Sequence, residues 1–247
     1  MRLCGLLTLA ALLLSACGQD IRDDWLRGEQ GRVARVIDGD SLVLETGLVV
    51  RLVSVEAPAF AWNERLEHPY AEQSKRALER LTLGREVQLY YPGMTEDRYE
   101  RALAQVYVSP EAGDDIWVNL EMIERGAAWV RLYADTAGGS ELLLDAEDRA
   151  RMTETGLWER YSPFHTPDEI ARLDGEFAIT QGRLVYEELS DGSCEYQLAG
   201  EPLRAEYDSP FGDCLENSEG EVELRGWIRN GTIYVGAPQN IRSLPAL

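Results

Sequence analysis

Val36-Ile37-Asp38-Gly39-Asp40-Ser41 is the stretch on which the reading of the fold turns. Residues 32–37 and 42–45 on either side are β-prone. Between them Asp-Gly-Asp joins carboxylates that hydrogen-bond their own backbone to a residue without a Cβ, the chemistry of a tight turn. Residues 48–55 form a third apolar, β-branched run, so three strands are expected in succession. Residues 58–69, bounded by prolines, read as a loop. Residues 70–83 carry Ala71, Ser74, Ala77, Leu78 and Leu81 at helical spacing and stop at Gly84. Two strand-like runs follow, 86–91 and 103–108. Residues 118–125 and 141–153 read as helices, the first ending at Gly126 and the second before Gly156. No internal repeat or low-complexity tract is visible.

Beyond a linker at 163–173 the chain changes character. Residues 177–187 and 194–198 alternate apolar and polar side chains around Ser190-Asp191-Gly192-Ser193. Residues 221–228 and 232–235 flank Asn230-Gly231, the dipeptide that favours a type I′ hairpin turn. Residues 170–247 are therefore expected to form a small β-rich domain, OB-like if it closes into a barrel. Nothing in it carries recognisable chemistry.

The N-terminus must be set aside before any fold is read. Arg2 precedes an apolar stretch, 6–14, too short to span a bilayer as a mature helix. Leu14-Ser15-Ala16-Cys17 resembles the lipobox of bacterial lipoprotein signals. That resemblance implies removal of residues 1–16, lipid on Cys17, a membrane attachment, and a polar tether over 17–30. Gly18 in place of aspartate leans toward the outer membrane. With Cys4 removed and Cys17 acylated, Cys194 and Cys214 remain in one segment of an exported protein, where a disulfide between them is expected. Closing that loop would contribute roughly 3 kcal/mol.

The chain has 44 acidic and 24 basic residues, a net charge of −20, and Lys75 is its only lysine. The acidity is spread through both halves. A long footprint on duplex DNA needs many basic contacts and is opposed by this balance. Screening within about 8 Å still permits a single phosphate to be held locally.

Five pieces in order carry a resemblance to the staphylococcal-nuclease (thermonuclease) family. They are the turn quoted above, Val50-Arg51-Leu52-Val53-Ser54-Val55-Glu56-Ala57-Pro58, Pro69-Tyr70-Ala71-Glu72-Gln73, Asp97-Arg98-Tyr99-Glu100-Arg101-Ala102-Leu103-Ala104, and Val118-Asn119-Leu120 through Gly126-Ala127-Ala128. Gly156-Leu157-Trp158 closes the match, which covers about half the chain, in a domain placed at 31–160. The resemblance implies an α+β fold, a five-stranded OB-type barrel with three helices. It also implies hydrolysis of DNA and RNA phosphodiesters with a calcium ion and two arginines. Asp40 and Glu56 would be metal ligands with the backbone carbonyl of Ala57, Arg51 and Arg101 would hold phosphate, Tyr99 would hydrogen-bond near it, and Asp38 would lie behind the ligands. A hard cation takes oxygen donors, and guanidinium forks neutralise charge growing on phosphoryl oxygens.

Two departures bear on activity. Where the family reads Asp-Thr-Pro-Glu, this chain reads Glu56-Ala57-Pro58-Ala59. Ala59 stands at the general-base position and cannot accept a proton, a loss of typically 10²–10⁴-fold. Glu64 or Glu67 in the following loop could substitute. Other residues also have plain structural readings. Arg51 can pair with Glu56 or Asp40 as a buried salt bridge, Asp38 and Asp40 can be turn formers, and Tyr133 is expected to be a packing aromatic. His68 and His165 are expected at the surface. The expected function is an envelope-anchored, calcium-dependent phosphodiester hydrolase of weakened activity on short or single-stranded nucleic acid. The alternative is a catalytically degenerate binding or scaffolding module.

Overall fold

The computed structural model describes residues 20–61, 66–161, 163–170, 172–188, 194–200, 203–207 and 221–244. The lipobox with Cys17, the substitute base Glu64, Cys214 and the side chain of Cys194 lie outside the described residues. Among the described residues no helix is long and apolar enough to cross a membrane.

The first domain builds β1 (Leu26–Val36), β2 (Ser41–Leu44), β3 (Val49–Leu52), β4 (Val55–Glu56), α1 (Ala71–Thr82), β5 (Glu86–Tyr91), β6 (Ala102–Val108), β7 (Ile116–Trp117), α2 (Val118–Glu124), β8 (Trp129–Val130) and α3 (Ser140–Met152). Five strands close a barrel in the order β1-β2-β3-β6-β5, with β5 returning to β1. Only the β3–β6 seam is parallel, pairing Arg51 with Leu103. Asn119 secures that seam from α2: its Oδ1 accepts the Val106 amide at 2.9 Å and its Nδ2 donates to the Val53 carbonyl at 2.9 Å. Val36, Leu42, Leu52, Leu89 and Val106 fill the interior, and Leu78, Met122 and Leu143 of the three helices pack on the same core. The expected α+β barrel is present.

The stretch 17–30, expected as a tether, belongs to the first domain from Trp25 onward. Trp25 is only 8% exposed and packs in the first core, while Leu26 and Arg27 pair with Tyr91 and Tyr90. Residues 26–30 bond through backbone with mostly exposed side chains, so their polarity hides a strand. The linker is likewise packed. The His165 amide donates to the Ile179 carbonyl at 2.8 Å, and Ile170 of α4 (Pro167–Ile170) is buried in the second core.

The second domain comprises β9 (Phe177–Glu188), β10 (Cys194–Leu198), β11 (Arg204–Tyr207), β12 (Glu221–Arg229), β13 (Thr232–Val235) and β14 (Ile241–Ser243). It closes β9-β10-β11-β13-β12 back onto β9, with β11–β13 the parallel pair. This is the strand order of the first barrel, so the OB-like alternative holds. Asn230 and Gly231 both have positive φ, at 50° and 73°, as the hairpin turn requires.

Alternation along β12 explains how the barrels join. Val222, Leu224 and Ile228 enter the second core, while Glu223, Arg225, Trp227 and Arg229 share the opposite face. Arg225, with no exposed surface, forms an ion pair with Glu147 of α3 at 2.7 Å, also bonds Glu223, and reaches the Val130 carbonyl at 3.1 Å. Arg151 of α3 donates to Glu223 at 2.8 Å, and Arg242 donates to Asp148 at 2.5 Å. Burial pushes the Glu223 carboxyl up, but the attraction of Arg225 and the bonds from Arg151 and Arg225 outweigh it and hold the pKa at about 2, from 4.5.

Arg225→Met leaves two buried carboxylates short of a partner and should cost about 3–5 kcal/mol, read from the urea midpoint. An unchanged midpoint contradicts the network. Because the folded pKa of Glu223 lies below the unfolded one, its contribution is complete above pH 4.5 and disappears as pH falls toward 2. The stability difference between wild type and Glu223→Gln should therefore shrink across that window, from a full value on the order of 3 kcal/mol. A pH-independent difference contradicts the assignment.

Candidate active site

The site is assembled where β2, β3 and β4 end. Asp38 starts an Asx turn, accepting the Asp40 amide on Oδ1 at 3.1 Å. Asp40 is thereby turned inward, where its Oδ1 accepts Ser41 Oγ at 2.9 Å and forms an ion pair with Arg51 Nη1 at 2.9 Å, and its Oδ2 accepts the Ala57 amide at 2.8 Å. Burial pushes its carboxyl up to about 6, against the pull of Arg51 and with help from Asp38. Gly39 is required by space: a Cβ there would lie 1.9 Å from Ser74 Oγ and 2.6 Å from the Ala57 Cβ. Ser74 is itself fixed by donating to the Ala127 carbonyl at 2.6 Å.

Arg51 is tied on every side. Its Nη1 donates to the carbonyls of Leu52 at 3.1 Å and Val55 at 3.0 Å, and its Nη2 to Glu56 at 2.8 Å. The salt-bridge reading of Arg51 is thus realised with both carboxylates, and its guanidinium spans them. Between β3 and β4 the chain turns at Ser54, a non-glycine residue with φ of 61°. Its Oγ donates to the Thr136 carbonyl at 3.0 Å, and its carbonyl accepts the Arg131 amide at 3.2 Å, which holds a conformation that costs about 1–3 kcal/mol.

Arg131 is the residue that sequence reasoning missed. It follows β8 and donates through Nη1 to Glu56 at 2.6 Å. Glu56 therefore receives two guanidinium groups. Arg131 belongs to none of the five quoted pieces, and its one signal was a cation inside the apolar run Trp129 to Tyr133.

Arg101 and Tyr99 come from the hairpin tip before β6. Asp97 bonds the Arg101 side chain at 2.6 Å and the amides of Tyr99 and Arg101 at 2.9 and 3.1 Å. Burial raises the Asp97 carboxyl, but these bonds win and lower it. Tyr99 is exposed, with the guanidinium of Arg98 4.7 Å and that of Arg101 5.5 Å from its ring centre. A cleft of about 620 Å³ brings together Arg51, Arg98, Tyr99, Arg101, Arg131 and, from the second barrel, Arg229. Asp97 and Asp135 also line it, whereas Ala59 and Glu67 do not. Among the described residues Asp135 has no ion pair.

Several expectations change in detail. Tyr133 is 45% exposed and lines the cleft, so it is not a core packing residue. His68 is half-buried: its Nδ1 accepts the Tyr70 amide at 3.1 Å, and its ring packs edge-on to Tyr161 at 5.3 Å. No group of three or more His, Cys, Asp or Glu side chains gathers in a metal-holding arrangement among the described residues. Asp40, Glu56 and the Ala57 carbonyl are oxygen donors of the kind a hard dication takes, and both carboxylates are engaged by Arg51.

Comparison with known proteins agrees with this geometry. The sequence model of the family described as "Staphylococcal nuclease homologue" matches residues 49–160. The chain is 28% identical over 138 residues to the thermonuclease of Staphylococcus intermedius, covering 55% of this chain and 79% of that protein. It is 32% identical over 126 residues to the probable endonuclease LCL3 of Pyricularia oryzae, covering 48% of this chain and 46% of that one. The thermonuclease of Staphylococcus hyicus is 25% identical over 130 residues, 51% of this chain and 74% of that protein. The chain thus spans less than half of its fungal relative. These matches support a nuclease-fold domain of the staphylococcal-nuclease type in the first half of the chain.

Gly39→Ala should overpack the contact between the turn and α1, costing about 1–3 kcal/mol. That corresponds to a fall in Tm of several degrees. An unchanged melting temperature contradicts the packing described for the turn.

Proposed function

We propose that this protein is a phosphodiester hydrolase of short or single-stranded nucleic acid, anchored to the cell envelope through lipid on Cys17, with calcium as its cofactor. The observation that carries the reading is the convergence of Arg51, Arg98, Arg101, Arg131 and Arg229 on one cleft of a chain whose net charge is −20. Such a concentration of guanidinium groups suits a phosphate, which they engage as bidentate donors. Asp40, Glu56 and the Ala57 carbonyl would hold the calcium ion, which when bound supplies positive charge toward phosphoryl oxygens. Arg51 and Arg131 orient Glu56, and Arg101, braced by Asp97, faces the same cleft. With Ala59 at the base position, proton acceptance from water falls to Asp135, the cleft carboxylate without an ion pair among the described residues. Turnover is therefore slow.

Ala59 and the complete pairing of Arg51 favour a second reading, a non-cleaving phosphate-binding module in the envelope. The mature protein incubated with single-stranded DNA and RNA separates the two. The hydrolase reading predicts slow cleavage that needs calcium, stops with a chelator and disappears in Arg51→Ala. Asp135→Asn should lower the rate about 10²–10⁴-fold. An undiminished Asp135→Asn rate rejects that residue as the base. No cleavage, with no calcium binding by calorimetry, rejects the enzyme.

A further inference from the structure

A second cavity of about 520 Å³ adjoins the cleft, and the two share Arg131, Tyr133, Asp135 and Arg229. It lies between the barrels. The first contributes Arg131 and Tyr133, and the second contributes Trp227, Arg229 and Tyr234. The guanidinium of Arg131 sits 4.8 Å from the ring centres of both Tyr133 and Trp227. Arg229 approaches the Tyr234 ring at 5.8 Å and has no carboxylate partner among the described residues. Tyr234 is 37% exposed, on the outward face of β13 between the inward Ile233 and Val235. The amide of Ala134 donates to the Gly236 carbonyl at 2.8 Å, so the two walls are joined by backbone beside the cavity.

We infer that this cavity is a base-binding subsite for single-stranded nucleic acid, with the Tyr234 ring as its stacking platform. The inference rests on the hydrolase reading for its ligand class, and it adds a role for the second barrel. Aromatic faces beside guanidinium groups suit a ligand that alternates flat rings with phosphates. A phosphate in the cleft and a base in the adjoining cavity would meet across the shared wall of Arg131, Tyr133 and Arg229. Base–aromatic stacking tolerates any base and requires one that has left the duplex stack. Trp227, Arg229 and Tyr234 lie outside the matched residues 49–160, so this wall is an addition to the nuclease-type domain.

The test measures binding to the mature protein by fluorescence anisotropy, in chelator so that no strand is cut. The probes are an eight-residue thymidylate DNA strand and an eight-residue abasic strand with the same phosphates. Wild type should bind the thymidylate strand at least about fivefold more tightly than the abasic one. Tyr234→Ala should erase that preference while leaving abasic binding unchanged, and Tyr234→Phe should retain it. Arg51→Ala should weaken both strands. Equal wild-type affinities, or a preference that survives Tyr234→Ala, overturn the base subsite while the phosphate cleft stands. Abasic binding that is absent, or indifferent to Arg51→Ala, overturns the cleft and the subsite together.

Discussion

A charge with no route to solvent has to be matched inside the protein, and Arg225 is such a charge. It lies on the outer face of the second barrel yet is fully buried, because α3 of the first domain covers it and supplies Glu147. The pair also fixes a strand that belongs to neither residue. Glu147 accepts the Val130 amide at 2.7 Å, and Arg225 donates to the Val130 carbonyl. Both backbone groups of Val130 are thus held by side chains, one from each domain. The next residue is Arg131, whose guanidinium is thereby delivered to Glu56. Removing one partner of such a pair costs far more than the intact pair contributes, so the two barrels are committed to each other.

This arrangement makes the site a property of both barrels. β3 and β4 supply Arg51 and Glu56, the hairpin tip before β6 supplies Arg101 and Tyr99, and β12 supplies Arg229. In a chain this acidic, long-range attraction for a polyanion is absent, and recognition has to come from contacts within a Debye length. A cleft of arginines braced by Asp97, Asp40 and Glu56 meets that condition. Each carboxylate orients a guanidinium without neutralising the cleft, since Arg98 and Arg229 carry no ion pair among the described residues.

Much of the first domain was legible because its signals are local. The Asp38-Gly39-Asp40 turn and the helix around Ala71 to Leu81 each follow from residues adjacent in the chain, as does the Asn230-Gly231 hairpin of the second domain. Of the residues that the motifs single out, Arg51, Tyr99 and Arg101 line one cleft, while Asp40 and Glu56 reach it only through their ion pairs with Arg51. Residues 26–30 look like tether in sequence because a strand paired only through backbone leaves no apolar alternation. β11 and β14 escaped notice because four and three residues are too few to establish a period. Arg131 and Arg225 could not be assigned from sequence. An arginine in an apolar run has no visible partner until Glu56 or Glu147, distant in the chain, is brought to it. The face of β12 bearing Glu223, Arg225, Trp227 and Arg229 reads as solvated charge for the same reason.

The buried pair at Arg225 sets the position of Arg131, and through it the proposed binding of nucleic acid. A double-mutant cycle of Arg225→Met and Arg131→Ala, read as affinity for a single-stranded oligonucleotide at a temperature where every variant is folded, tests it most directly. If Arg225 works by aiming Arg131, its loss has little further effect once Arg131 is gone, with a coupling of about 1 kcal/mol or more. Effects that add within about 0.5 kcal/mol would contradict the claim and leave the interface a purely structural joint.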